Sequence, residues 1–347
     1  MSGGVDSSLA AKIMIDSGYE CVGCTMKLFS NNDIGVERSR TCCSLNDTED
    51  ARSVAYKLGM RFYVFNFTQA FHDTVIKKFV ECYINGVTPN PCIDCNRYMK
   101  FGKLFDRADI LGCDYVVTGH YARTEEQSGT FVLKKAVDET KDQSYVLYSM
   151  TQEQLSRTKF PLGGMKKTEV RAIAEKSGFV NAAKPDSQDI CFVPDGDYAS
   201  VIELQTGCKP MVGDFIDTHG NILGEHKGII HYTVGQRKGL GISSPEPLYV
   251  CKICPQNNTV MLGKNEDLFT DTADVSDFNW ISGKCPDHEL RCKAKIRYRQ
   301  AEQWATVTPS GENAVHIFFD NAQRAVTPGQ AAVLYDGDVV LGGGTIQ

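Results

Sequence analysis

The chain has no apolar run of the ~18 residues a membrane span requires, and no basic stretch followed by an apolar one at its start. A membrane span, a membrane partner and a secretory signal are therefore not expected, and a soluble cytoplasmic protein is. Positive charge is also in short supply: 37 Lys and Arg stand against 43 Asp and Glu, a net charge of -6. A general nucleic-acid coat protein needs clustered Lys and Arg, so that class is disfavoured, although a local basic surface is still allowed. No internal repeat or low-complexity segment breaks the chain.

What is present suits a multidomain enzyme. A length of 347 residues with 42% hydrophobic content exceeds one ordinary core, so two or three domains are expected. Fourteen cysteines do not make a secreted disulfide scaffold, because such scaffolds are short and loop-rich. A reducing compartment with some reactive thiols fits better.

To about residue 203 the pattern alternates helical stretches with short apolar runs that end in small or polar residues, the mark of an α/β domain with a parallel sheet. Helices are expected over 7–17, 48–58 and 70–84, and strands over 21–28, 62–67 and 114–118. A polar loop is expected to run through Asp47 and another over 86–96. In open α/β sheets ligands gather outside the carboxyl ends of strands, so the loops after residues 28, 67 and 118 should share one crevice. Beyond residue 204 short strands such as 213–217, 248–253 and 259–262 alternate with Gly, Pro, Asn and Asp. These are read as two small β-rich domains, 204–267 and 268–347. The glycines of 341–346 read as a strand end with a tight turn.

The opening segment Ser2-Gly3-Gly4-Val5-Asp6-Ser7-Ser8 is built to grip phosphate. Glycines let backbone N–H groups approach an anion, serine hydroxyls add donors, and the helix that follows points its positive end at the phosphates. Asp6 is expected to orient a metal or the loop itself. No Gly-Lys-Ser/Thr ending is present, so this is not the loop that handles a transferred γ-phosphate. A lone glycine-rich turn capped by Asp and Ser would look similar in a shorter match. Such a loop normally hangs from a buried strand, yet only Met1 precedes it. The strand is expected to have been lost by truncation or a misplaced start, and an upstream extension to restore ATP binding.

Three Cys-x-x-Cys pairs occur. Partners three apart on a strand face opposite sides, so Cys21/Cys24 and Cys251/Cys254 read as small core residues. Cys42 and Cys43 receive no role. Cys92 and Cys95 follow Thr88-Pro89-Asn90-Pro91, whose turn is expected to place both thiols in an exposed loop, open to reactive thiol chemistry or metal ligation. Cys191 ends the polar run 184–190, where a lone cysteine would ordinarily be packing. Arg291, Lys293, Lys295, Arg297 and Arg299 alternate with Cys292, Ala294, Ile296 and Tyr298. One strand with a basic face toward RNA is expected, a solvated charged strand being the alternative.

Taken in order, the segments MSGGVDSS, TPNPC..CN, TGHYAR, KDQSYVLY, DSQDICF, HYTVGQRKGLGI and RYRQ resemble the tRNA 2-thiouridylases, PP-loop ATP pyrophosphatases, over nearly the whole chain. The resemblance implies an adenine nucleotide α-hydrolase-like first domain and a terminal β-barrel. It further implies replacement of the C2 oxygen of a wobble uridine by sulfur, with ATP and Mg2+ used to turn that oxygen into a leaving group. Cys191 would carry a persulfide and Cys95 would complete release, through a disulfide with Cys191 or by attack on the persulfide. Ser2 to Ser8, Met26 and Gly119 would contact ATP, and Asn90, Pro91 and Cys92 the target base. His120, Lys141, Asp142, Gln143, Arg297, Tyr298, Arg299 and Gln330 would contact tRNA. The position of Cys92 is commonly an aspartate in the family, which puts its proton-handling role in doubt here. Asp94 would replace that aspartate only if the loop turned it inward.

An alternative has Cys92, Cys95 and Cys191 holding an iron–sulfur cluster. A cysteine desulfurase or a sulfur relay protein would supply the sulfur. Two rival readings remain, another PP-loop ligase or amidotransferase and a non-catalytic RNA-binding protein.

Overall fold

The computed structural model describes residues 1–35, 45–186, 189–193 and 196–347. Cys42 and Cys43, most of the expected polar loop before Asp47, and Ser187 and Gln188 lie outside the described residues. Helix Val5–Asp16 forms because Val5, Leu9, Ala10 and Met14 fall on one buried face, and it ends where Ser17 and Gly18 cap the last carbonyls. Strand Val22–Lys27 pairs in parallel with Arg61–Asn66, and Val116–Val117 pairs in parallel with Thr158–Lys159. The parallel α/β reading therefore holds, with the strand expected at 114–118 reduced to its central pair. Met1 runs beside strand Val22–Lys27: its carbonyl accepts the Thr25 hydroxyl at 2.7 Å and its amino group donates to the Cys24 carbonyl.

The loop expected over 86–96 is overturned in its second half. Pro91 has its φ preset for a first helical turn, and Asn90 before it is extended, with φ -114° and ψ 90°. A helix therefore starts at Pro91 and continues as a π-helix over Cys95–Lys103 and an α-helix over Leu104–Ile110. The helix expected over 48–58 begins earlier, at Leu45.

The four strands Ile222–His226, Gly213–Ile216, Thr259–Gly263 and Tyr249–Cys254 make the small central sheet in that order, around Phe215, Val250, Val260 and Leu262. Six strands from Phe269–Trp280 to Val339–Ile346 close into a barrel, the first pairing with the last. The sheet does not stop there. Hairpin Ala122–Gln127 and Thr130–Lys135, from the α/β part, adds to the barrel through Val339 and Val340 against Lys134 and Leu133. Ser128 and Gly129 turn that hairpin with positive φ of 51° and 79°, the pattern of a two-residue mirror-image turn.

The glycines near the C-terminus are not a turn. They lie within the continuous strand Val339–Ile346 because the α/β part presses on it: a Cβ on Gly343 would sit 2.6 Å from the Tyr148 ring and 2.9 Å from the Ala332 carbonyl oxygen. Asn279 stitches the same seam, donating to the carbonyls of Tyr148 at 2.6 Å and Met150 at 3.0 Å. Among the described residues no helix is long and apolar enough to cross a membrane.

With backbone on one side and a buried tyrosine on the other, Gly343→Ala is expected to cost about 1–3 kcal/mol by overpacking. Denaturant melts monitored by tryptophan fluorescence check it; an unchanged midpoint would show that the seam can yield.

Candidate active site

The phosphate loop is held by its own carbonyls and hydroxyls. Gly3 has φ 74°, and a Cβ there would overlap the Asp47 carbonyl, so only glycine lets the loop lie against helix Leu45–Lys57. The Ser7 hydroxyl accepts from the Ser2 N–H at 3.1 Å and donates to the Gly4 carbonyl at 3.1 Å, and Ser8 donates to that same carbonyl at 3.1 Å. Buried Asn181 donates to the Gly3 carbonyl and to Ser8 Oγ, both at 2.9 Å. These contacts occupy acceptors and hydroxyls, while the first N–H groups of helix Val5–Asp16 have no acceptor within the helix and are suited to an anion.

Asp6 faces protein cations. Its carboxylate accepts from the buried Lys167 ammonium at 2.6 and 2.7 Å and from the Tyr121 hydroxyl at 2.8 Å. Lys167 also pairs with Asp186 at 2.9 Å, and Asp186 takes Lys141 and Arg171 at 2.9 Å each. Burial works against ionisation of Asp186, but hydrogen bonds from Lys141 and Lys167 prevail and hold its carboxyl down to about 2. Nearby, Lys184 pairs with Asp47 and, at 2.9 Å, with Asp50.

Gly119 abuts the same helix start: a Cβ would lie 2.8 Å from the Asp6 carbonyl carbon and the Ser7 nitrogen. Its neighbour His120 is buried, with Nδ1 2.8 Å from the Thr118 hydroxyl and Nε2 3.2 Å from the Lys100 ammonium. An ammonium only donates, so Nε2 accepts and the ring is neutral; burial, then the Lys100 charge, hold its pKa well below the ordinary histidine value. His120 thus lies inside the protein, away from the surface where a tRNA contact was expected.

The stretch 141–143 is a joint. Lys141 serves Asp186, the Asp142 carboxylate accepts from the Ala136 N–H at 2.9 Å and the Ser144 hydroxyl at 2.8 Å, and the Gln143 side chain accepts the Tyr121 N–H at 3.0 Å. Tyr298, from the barrel, donates its hydroxyl to the Asp142 carbonyl at 3.0 Å. Gln330 likewise donates to the carbonyls of Thr88 and Pro89, at 2.9 and 3.3 Å, and so positions Asn90 and Pro91.

The two thiols of the Pro91 helix part company. Cys92 is exposed, whereas Cys95 is buried and burial pushes its thiol up to about 11. The expectation of two exposed thiols is corrected by packing: Cys92 lies in the exposed first turn after Pro91, while Cys95, one turn on, is covered by apolar side chains from other elements. Cys95 belongs to the apolar core of Phe71, Phe79, Met99 and Phe192, and partly buried Cys191 and Met26 pack against that core. Leu28, Phe29 and Phe67 belong to it as well, so the chain after residues 28 and 67 does converge on one core. Asp94 is indeed turned inward, but it is buried against Lys78 at 2.7 Å. Arg97, from the same helix, forms a two-point ion pair with Asp277, a barrel residue at a strand irregularity with φ 48°. Among the described residues no group of three or more His, Cys, Asp and Glu side chains is arranged to hold a metal ion. The iron–sulfur arrangement thus finds no support in the described geometry.

The basic strand is also corrected. It ends at Lys295, and its cations are largely engaged: Arg291 pairs with Asp320 across the sheet and, like Lys293, lies over the Trp304 ring. Lys295 is half-buried beside Tyr145 and Tyr298, and burial lowers its pKa. Arg297 donates to the carbonyls of Val234 and Ala325 and to the Thr327 hydroxyl, at 3.2, 3.1 and 2.7 Å. Tyr298 and Arg299 are exposed. Lys100, Lys167, Asn181 and Asp277 escaped the sequence reading, since no local motif surrounds them and their partners are distant in the chain.

A parallel α/β domain that opens on a glycine- and serine-rich loop, followed by a small β-domain and a barrel, is the architecture of a nucleotide-binding transferase. Residues 1–195 match the family described as the tRNA methyl transferase HUP domain, 203–264 the tRNA methyl transferase PRC-barrel domain, and 270–346 the aminomethyltransferase β-barrel domain. The chain is 50% identical to the tRNA-specific 2-thiouridylase MnmA of Clostridioides difficile strain 630, over 100% of this chain and 96% of that one. It is 49% identical to the MnmA of Acetivibrio thermocellus and 48% to that of Symbiobacterium thermophilum, over 100% of this chain and 98% and 90% of theirs. The chain belongs to the tRNA-specific 2-thiouridylase family, whose members are sulfurtransferases.

Two outcomes follow from the loop and its ion network. Gly119→Ala, whose new methyl would press on the Asp6–Ser7 peptide at the start of the first helix, is expected to weaken ATP binding about tenfold or more, read by calorimetry. Asp186 is depressed in the fold, so its contribution to stability is present above the ordinary carboxylate range and is lost as pH falls from about 4 toward about 2. Asp186→Asn should therefore melt below the wild type at pH 6, with the gap closing toward pH 2. A gap independent of pH would sink that account.

Proposed function

We propose that the chain catalyses ATP-dependent 2-thiolation of the wobble uridine of tRNA. The observation that carries this reading is the convergence of Cys95 and Cys191, distant in sequence, on one apolar core, with Lys100 and His120 linking the Cys95 helix to the Gly119 turn against the phosphate loop. In this reading residues 1–203 perform the chemistry, while 204–267 and 268–347 hold the RNA and brace the catalytic helix.

A uracil carbonyl oxygen is a very poor leaving group, which is why both ATP and a thiol are needed. The C2 oxygen attacks the α-phosphorus, the bond to the β-phosphate oxygen breaks, and pyrophosphate departs. Ser2, Gly3, Gly4, Val5, Asp6, Ser7 and Ser8 would cradle the phosphates, with Gly119 backing them and Met26 on the adenine side. Mg2+ would enter with those phosphates, for Asp6 is itself paired to Lys167.

The terminal sulfur of a Cys191 persulfide then bonds to C2, and the oxygen leaves with AMP. Cys95 attacks the Cys191 sulfur, so that a disulfide forms and the sulfur remains on the base. A thiol reductant regenerates the two thiols, and a cysteine desulfurase or sulfur relay protein reloads Cys191. Asn90, Pro91 and Cys92 would meet the target base at the helix start that Gln330 positions. Exposed Tyr298 and Arg299 would meet tRNA directly. His120, Lys141, Asp142, Gln143 and Arg297 would act on it by fixing the surface around them.

The test incubates the protein with ATP, a persulfide donor and unmodified tRNA, followed by nucleoside analysis. Cys191→Ser is expected to abolish 2-thiouridine while pyrophosphate release continues. No 2-thiouridine from the unsubstituted protein would sink the proposal, and thiolation by Cys191→Ser would remove the persulfide step.

A further inference from the structure

Lys100 is a half-buried ammonium with an unusual set of neighbours. Lys103, on the same helical segment, pairs with Asp106 at 3.2 Å, and Lys78, on helix Lys77–Ile84, pairs with Asp94 at 2.7 Å. Lys100, by contrast, has no carboxylate within 4.0 Å among the described residues, and its Nζ is held by the neutral Nε2 of buried His120 at 3.2 Å. His120 is itself fixed by the Thr118 hydroxyl at 2.8 Å. This arrangement sets the direction of a positive charge without cancelling it. A cation removed from bulk water and left without a counter-charge is costly, and an anion that arrives later offsets that cost.

Its position narrows the anion. Cys95 and Lys100 are five residues apart, which on an α-helix would set them about 140° around the axis from each other. The segment Cys95–Lys103 is instead a π-helix, whose hydrogen bonds run between residues five apart, so the two side chains share one face a turn apart. On its other side His120 follows Gly119, whose Cα lies against the backbone of Asp6 and Ser7. The ammonium therefore links the helix that bears the buried thiol to the turn packed against the phosphate loop.

We propose that Lys100 is an anion site for the α-phosphate of the nucleotide, the phosphate that is joined to the uridine oxygen and later departs as AMP. His120 is its positioning residue, and the π-helical turn is what brings the charge to the thiol side of the phosphate. The assignment rests on the nucleotide reading above and adds a phosphate contact outside the opening loop.

Calorimetric titrations of the full chain with AMP and with adenosine separate a phosphate contact from general damage. Lys100→Met is expected to weaken AMP binding about tenfold or more, as for loss of a charge-assisted contact, and to leave adenosine binding unchanged. Lys100→Arg should stay close to the wild type. Should Lys100→Met fail to fold by its melting curve, Lys100→Gln is read on the same AMP-to-adenosine ratio. An unchanged AMP affinity, or equal losses for AMP and adenosine, overturns the assignment. No AMP binding by the wild type overturns it together with the nucleotide reading, whereas AMP binding without 2-thiouridine formation leaves the Lys100 site standing and sinks only the thiolation reading.

Discussion

One buried ammonium holds the site together. Lys167 bonds Asp6 at the start of the first helix and Asp186 just ahead of Cys191, so the opening loop and the segment that leads to Cys191 share a single cation. Two carboxylates around one ammonium would leave excess negative charge where phosphates must bind, and Lys141 and Arg171 compensate on the Asp186 side. The start of the first helix is thereby tied to the segment ahead of Cys191 by side-chain charge, which leaves its first N–H groups without an intrahelical acceptor and able to bind an anion.

The barrel is part of the same mechanical unit. A hairpin of the α/β part extends its sheet, Tyr148 presses on Gly343, Arg97 of the thiol helix grips Asp277, and Gln330 secures the turn that starts that helix. Asp277 holds a left-handed backbone that a residue with a Cβ adopts at some cost, at the point where the barrel meets the helix that carries Cys95. The barrel is therefore connected to the Cys95 helix by several direct contacts.

Sequence pattern served well where a signal is local. The phosphate loop, the first helix, strands 22–27 and 61–66 and the turn-rich β-strands each write their periodicity into a few consecutive residues. It served poorly where burial decides. Cys92 and Cys95 look alike in a four-residue motif, yet a helix begun by Pro91 exposes one and buries the other. The alternating cations of 291–299 look like an RNA-facing row, but Asp320, Trp304, Tyr145 and Thr327 arrive from other strands and segments to engage them. His120 reads as a loop residue past a strand end and is instead an interior acceptor.

By itself the sequence determined the class of chemistry: glycines and serines ahead of a helix can bind phosphate, and paired cysteines can move sulfur, because those capacities reside in the residue types and their spacing. The tertiary structure alone decided which charges are already satisfied and which are left for a ligand. Asp6 is matched by Lys167, Asp94 by Lys78 and Arg291 by Asp320, while Lys100 meets a neutral imidazole and, among the described residues, no carboxylate. Partners so far apart in the chain are chosen by packing, and no local pattern records them.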